Sequence, residues 1–358
     1  MVGCGANVKI TSSWVAACGR RKRGSRVAGH TAAVPWAQPI PESLQARPFT
    51  VGQAEAAGVP ARRLRNSGFR RLARGVYATA DTPDSIDLNC RAALLCMPEG
   101  SVISHWSALA LLGLAEGIVE VVDVSLPPQA SVPRHQPGIR VHQRTVGNEP
   151  TMVDGIPISG PGRTLVDMAP HLSHRRLVVI GDALVRRAGG LDRLVQQIDR
   201  EVGQRHVVAA RAATRRVRAG VDSPQETLWR LAIVDAGLPE PEVDIDVRDA
   251  AGEWIGHGDL GYRALRIVMQ FEGDVHRTNR RRWQQDIARD ESFVAAGWRV
   301  LRATGDDVVR PARFLWRLEQ ARQQALRESC GPRPPDEHDE TAASRGLGSR
   351  GQRNTFRF

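Results

Sequence analysis

Apolar and polar positions are most regularly ordered in the last third of the chain. Val243, Ile245 and Val247 alternate with acids over Glu242–Arg248, the period-two pattern of a strand with one covered face. Asp249-Ala-Ala-Gly252 reads as a turn, and further strands are expected over Glu253–Leu260 and Leu265–Glu272. The period then becomes helical from Asn279 to Ala296, where Gly297 stops it; Trp298–Ala303 is a fourth strand and Asp306–Arg322 a final helix. Ahead of these elements Ser223 and Glu226 have the spacing of a capping box for a helix over Pro224–Ala236, ended by Gly237. The order is helix, three-strand meander, helix, strand.

Upstream, Thr50 is placed to cap a helix carrying Ala54 and Ala57, Gly58 breaks it, and Pro60 begins a second helix bearing Arg62, Arg63 and Arg65. Phe69–Tyr77, with Arg70, Arg71 and Arg74, reads as a short hairpin. Helix, turn, basic helix and basic wing is a winged helix-turn-helix arrangement, in which the second helix enters a major groove and the arginines meet phosphates. Residues 81–220 read as an α/β middle region. Ser85 and Ser104 each begin a helix, strand-like runs cover Val119–Leu126 and Gly138–Val146, and another helix spans Leu177–Arg187 before an Arg-rich stretch over Arg205–Arg218. Gly155–Thr164 (GIPISGPGRT) is not a phosphate loop, because Pro161 stands where a lysine is needed; a strand, a turn and a helix start explain it. His105 beside Ser104 lacks a third partner and a Gly-x-Ser-x-Gly elbow, so Ser104 is read as a helix cap. The region is expected to act in scaffolding, dimerisation or positioning. Residues 1–45 and 327–358 lack periodicity and are expected to be disordered arms.

Charge sharpens this picture. The 358 residues carry 50 Lys and Arg against 39 Asp and Glu, a net charge of +11, which favours a polyanionic partner, DNA before membrane. No apolar run approaches the roughly 20 residues of a membrane span. The basic run Arg20–Arg23 follows the weakly apolar stretch instead of preceding it, unlike a signal peptide, so the cytoplasm is the expected compartment. Five scattered cysteines with no C-x-x-C pair support neither a disulfide framework nor a zinc site.

Candidate chemistry gathers where the meander ends. Asp259 leaves the second strand, and Gln270 and Glu272, two apart on the third, point to one face. Oxygen donors converging in this way suit a hard divalent cation. The stretch Asp259-Leu260, Gln270-Phe271-Glu272-Gly273, His276, Arg282, Asp286 and Gly297-Trp298-Arg299-Val300-Leu301-Arg302, on the element order above, resembles the PD-(D/E)XK restriction-endonuclease-like superfamily. Within it, the branch related to the very-short-patch-repair endonuclease is the more similar. Arg47–Tyr77 resembles the winged-helix domain of AbiEi-type antitoxins.

The resemblance implies an α/β multidomain chain: a winged helix over 46–80, the middle region, and a restriction-endonuclease-like αβββαβ core over 221–326. It further implies Mg2+ held by Asp259, Gln270 and Glu272, with Glu226 as an outer carboxylate, His276 as acid, base or phosphate ligand, and Arg282 and Arg302 at the scissile phosphate. Arg282 and Asp286 could instead pair with each other one helical turn apart. A cognate toxin or a second copy are the further partners implied. Gln270 stands where the family has a carboxylate, and Glu272 is one methylene longer than the family's Asp. An amide ligates without charge, so two expectations stand: a DNA-cutting, magnesium-dependent endonuclease, or a non-catalytic regulator of antitoxin type on the same fold.

Overall fold

The structure, a computed structural model, describes residues 39–115, 119–143, 150–271, 280–304, 307 and 310–329, with the backbone alone over 280–287. Both expected arms fall largely outside these residues. The chain forms two compact units, one up to Asp235 and one from Ala236. The architecture is mixed α/β with three sheets, and among the described residues no helix is long and apolar enough to cross a membrane.

The first unit opens with a small module. Thr50 ends β1 (Phe49–Thr50) and caps α1 (Val51–Ala56): Gln53 N donates to Thr50 Oγ1, and Thr50 N donates back to Gln53 Oε1. Gly58 takes the left-handed turn that ends the helix. β2 (Phe69–Ala73) and β3 (Val76–Thr79) form the expected hairpin, and β1 joins it in the order β1-β3-β2. Phe49 meets Phe69 edge to face at 6.0 Å, within a core shared with Leu44, Ala54, Val59 and Leu64. Leu44, in a segment expected to be disordered, sits in a 3-10 turn over Glu42–Leu44 and is buried.

The expected second helix is different. Ala61–Arg65 is a 3-10 turn, extended at both ends by Pro60 and Asn66 and closed by the Arg63 N to Pro60 O bond. Five residues with one buried side chain, Leu64, supply too little apolar face to carry an α-helix on. The module therefore presents a basic turn where a full recognition helix was expected.

Beyond it lies a five-stranded mixed sheet of β4 (Val102–Ile103), β5 (Val122–Leu126), β6 (Ile139–Gln143), β7 (Thr151–Val153) and β8 (Ile156–Ile158), ordered β6-β5-β4-β8-β7. Among the described residues seven helices accompany it: α2 (Ile86–Leu94), α3 (His105–Leu111), α4 (Pro161–Met168), α5 (His174–Ala188), α6 (Leu191–Asp199), α7 (Val207–Thr214) and α8 (Pro224–Asp235). The 155–164 segment is strand, turn and helix start, with Gly160 at the cap and Pro161 in the first turn. Ser85 caps α2 through its hydroxyl. Ser104 holds the cap position of α3, but its hydroxyl is turned to His105 and Ser125 and caps nothing. One core cluster runs from Cys90 through Leu109, Val124, Leu165 and Leu184 to Leu231 on α8. At its edge Arg230, 1% exposed, donates to Asp182 Oδ2 at 3.0 Å; Thr227 Oγ1 donates to the same oxygen and Arg218 N to the other.

The second unit holds a four-stranded sheet of β9 (Glu242–Arg248), β10 (Trp254–Tyr262), β11 (Ile267–Phe271) and β12 (Arg299–Ala303), ordered β12-β11-β10-β9, with β11 and β12 parallel and the other pairs antiparallel. Among the described residues two helices accompany it, α9 (Arg280–Ala295) and α10 (Pro311–Ser329). Strand three starts two residues later than expected, because Arg263–Leu265 forms a 3-10 turn and Arg266 takes a left-handed conformation before it. The last helix runs past its expected end to Ser329. Phe293 of α9 packs with Ile245, Val247, Val268 and Trp298, and Phe314 of α10 faces Phe271. On the edge strand β9, Asp244 sits at φ +48, unusual for a residue with a side chain.

Close strand approach rests on glycine in β10. A Cβ at Gly261 would lie 2.7 Å from the Ile267 carbonyl oxygen and 2.9 Å from two carbons of Ile245. Gly261→Ala is expected to destabilise the second unit by about 1–3 kcal/mol through overpacking against backbone, read as a lower denaturation midpoint with an unchanged slope.

Candidate functional site

The expected ligand pair is brought together at the point where β10 and β11 part. The ladder between them runs over Tyr262–Ile267, Gly261–Val268 and Leu260–Met269. One position further on, a side chain replaces a backbone carbonyl: Asp259 Oδ2 accepts the Phe271 N–H at 2.7 Å. Gln270 closes the same gap from the other strand, its Nε2 donating to the His257 carbonyl oxygen at 3.2 Å. The registers on either side place Asp244 opposite Asp259 and Asp259 opposite Gln270, and Gln270 is paired with Arg302. Across the four strands the row reads acid, acid, amide, guanidinium.

Gln270 is 5% exposed and is held at both ends of its amide. While Nε2 donates to His257, Oε1 accepts from Arg289 Nη2 at 3.3 Å. Only one orientation of the amide satisfies a carbonyl acceptor on one side and a guanidinium donor on the other. A glutamate carboxylate has no hydrogen to give His257 at neutral pH. The amide at 270 therefore makes a bond that a carboxylate there would not.

Asp259 is largely buried, and that burial pushes its carboxyl above the usual carboxylate range; Asp244 adds to the rise, while the Phe271 N–H, Arg289 and Arg302 oppose it. Gln270 does not fit a magnesium ion, because the oxygen that would face the metal faces a guanidinium. Asp259 takes a backbone hydrogen on one oxygen and keeps a carboxylate's capacity to ligate. Among the described residues no three His, Cys, Asp or Glu side chains are grouped to hold a metal. Glu272 and His276 lie outside the described residues, as do the side chains of Arg282 and Asp286. Arg302, expected at a phosphate, is half-buried and its Nε lies 2.5 Å from Asp290 Oδ2. Glu226 belongs to the first unit, where it accepts the Asp222 N–H at 3.0 Å, and Ser223 Oγ accepts the Glu226 N–H; the pair is a helix-start motif.

Arg289 escaped the sequence reading. It follows Arg282 by seven residues, two helical turns on the same face, a spacing that points to it once the helix is drawn.

The basic module has its own geometry. Arg70 is bound to Asp84 and to the Thr82 carbonyl, Arg71 to the Ala73 carbonyl, and Arg63 lies over the Phe69 ring. These three are already engaged. Arg62, Arg65 and Arg74 are exposed and make no ion pair with a described residue, so they are the ones open to a phosphate.

Removing the acceptor at 259 should expose its structural part. Asp259→Ala leaves the Phe271 N–H without its partner and is expected to cost about 1–3 kcal/mol. Asp259→Asn keeps an oxygen there. Because the raised carboxyl contributes stability that is lost as pH rises through its folded pKa, the Asn variant should be at least as stable as wild type at pH 8. Chemical denaturation of both variants at pH 5 and pH 8 measures this.

No protein-family model matches the chain. It is similar to the uncharacterized proteins MT2308, of Mycobacterium tuberculosis strain CDC 1551 / Oshkosh, and Rv2248, of strain ATCC 25618 / H37Rv. Each is 27% identical over 262 residues, covering 71% of this chain and 93% of the relative.

Proposed function

We propose that the protein binds DNA through its basic N-terminal module and that its second unit is a restriction-endonuclease-like domain that holds the strand-junction site in a non-cutting arrangement, as a regulator of antitoxin type would. The observation that carries this reading is the double-ended bonding of Gln270. An uncharged amide fills the second ligand position, its donor supports the His257 carbonyl, and Arg289 supplies positive charge to its oxygen. One formal charge fewer beside a divalent ion weakens its binding by several kcal/mol in a partly dry site, and a guanidinium at the same oxygen weakens it further. Charge supports the DNA part: +11 over the chain, with Arg62, Arg65 and Arg74 exposed on one small module.

The second reading is a metal-dependent endonuclease. Asp259 favours it, as a half-buried carboxylate within the central strand β10, opposite residue 270, in a chain whose element order is the one the resemblance rests on.

Supercoiled plasmid separates the two. The wild-type chain is expected to bind it in EDTA and to leave it unnicked with magnesium or manganese, and nicking abolished by Asp259→Ala would establish the second reading instead. In a separate titration, the triple variant Arg62→Ala, Arg65→Ala, Arg74→Ala should weaken DNA binding and reduce the slope of log affinity against log salt by about 0.9 for each phosphate no longer neutralised. An unchanged slope removes the module from the interface.

A further inference from the structure

Positive charge is unevenly spread over the chain. Residues 174–218 hold eleven arginines, no lysine and four acids, and so carry +7 of the net +11. The stretch spans α5, α6 and α7 of the first unit.

The fold uses part of that charge. Arg175 and Arg216 clamp Asp235, Arg211 is bound to the side chain and the carbonyl of Asp199, and Arg218 reaches the carbonyls of Arg215 and Val217. Most of the acids are engaged in the same way. Asp182 and Glu201 are buried against Arg230 and Arg163, and Asp199 is held by Arg211. Asp192, in the first turn of α6, is the one exposed acid of the stretch without an ion pair among the described residues. Against it stand Arg186, Arg187, Arg193, Arg200, Arg205 and Arg215. All six are exposed, and none makes an ion pair with a described residue.

Backbone geometry draws four of them into a line. Helix α5 carries Arg186 and Arg187 in its last turn, and Gly189 and Gly190, at φ +82 and +120, lead the chain directly into α6. Arg193 lies back along this turn: a Cβ at Gly189 would come within 3.2 Å of its Cδ and Nη1. Arg200, at the far end of α6, follows Arg193 by seven residues, which puts it on the same helix face about 10 Å further on. Within the fold these like charges only repel one another. What they fit is a row of phosphates. A guanidinium fork takes two phosphate oxygens at once, and a duplex presents one backbone charge for about every 1.7 Å of its axis.

We propose that this ridge, from the last turn of α5 along α6, is a second DNA-backbone contact, separate from the N-terminal module and indifferent to sequence. It rests on the reading that the protein binds DNA and extends the interface into the middle region. Contacts to phosphate carry no sequence information of their own, so the ridge adds affinity equally on every duplex and steepens the dependence of binding on salt. The charge and its surroundings favour DNA over an anionic membrane. The exposed large apolar residues of α6, α7 and their connection are Val195, Val202 and Val208; none is the Trp, Phe or Leu by which a surface helix enters a bilayer.

The full chain carrying Arg186→Ala, Arg187→Ala, Arg193→Ala and Arg200→Ala tests this by fluorescence anisotropy on two duplexes of unrelated sequence over a range of salt. Relative to wild type, affinity should fall by the same factor on both. The slope of log affinity against log salt should flatten by about 0.9 for each phosphate no longer neutralised. Circular dichroism should show the wild-type fold, since all four side chains are exposed. If the variant does not fold, Arg193→Glu and Arg200→Glu, each made alone, should weaken binding and flatten the slope in the same sense. A slope that these changes leave as it was overturns the ridge and leaves the N-terminal module as the interface. A fall in affinity confined to one duplex overturns it too. A wild type that binds neither duplex overturns the DNA reading itself, and the ridge with it. Wild-type binding to phosphatidylserine vesicles that the variant loses, with the DNA slope unchanged, makes the ridge a membrane contact instead.

Discussion

A carboxylate buried among helices must be answered from all sides, and Asp182 is the one around which the helical layer of the first unit closes. Its two oxygens receive the Arg218 amide, the Thr227 hydroxyl and the Arg230 guanidinium, so α5, α8 and the turn between α7 and α8 are referred to one point. Burial pushes the Asp182 carboxyl upward while those donors pull it down. Removing one partner of a buried ion pair commonly destabilises by about 3–5 kcal/mol, because the other charge stays behind. Helix α8, which the pattern alone assigned to the C-terminal domain, packs instead with the first unit and contributes Arg230 and Leu231 to it.

The same rule of satisfying buried polar groups organises the second unit. Where β10 and β11 stop pairing, the backbone groups of His257 and Phe271 lose their ladder partners, and Gln270 and Asp259 supply substitutes. A strand junction that opens in this way leaves a gap between strands, and here two of its own side chains close it.

Much of the architecture was legible in the chain. Alternation at Val243, Ile245 and Val247 located β9, and Thr50, Ser85 and the Gly155–Thr164 segment marked helix starts that the structure contains. These are local signals, set within a few residues. What failed was also local but marginal: Ala61–Arg65 had the length of a turn and the composition of a helix, and one buried leucine did not tip it. Ser104 was read as a cap because capping is what serine at that position usually does; its bond to Ser125 depends on a strand twenty-one residues away. The pairing of Asp259 with Gln270 was visible from strand periodicity. The role of the amide was not, since His257 and Arg289 come to it from other elements.

Asp244 carries a consequence beyond its neighbours. An outer strand offers its free backbone groups to any other extended chain, and growth by strand addition needs a straight row of them. The left-handed turn of the backbone at Asp244 interrupts that row in its middle. A second copy approaching edge to edge would find no straight row to extend. The bend acts as a guard against self-templating through the β9 side of this sheet.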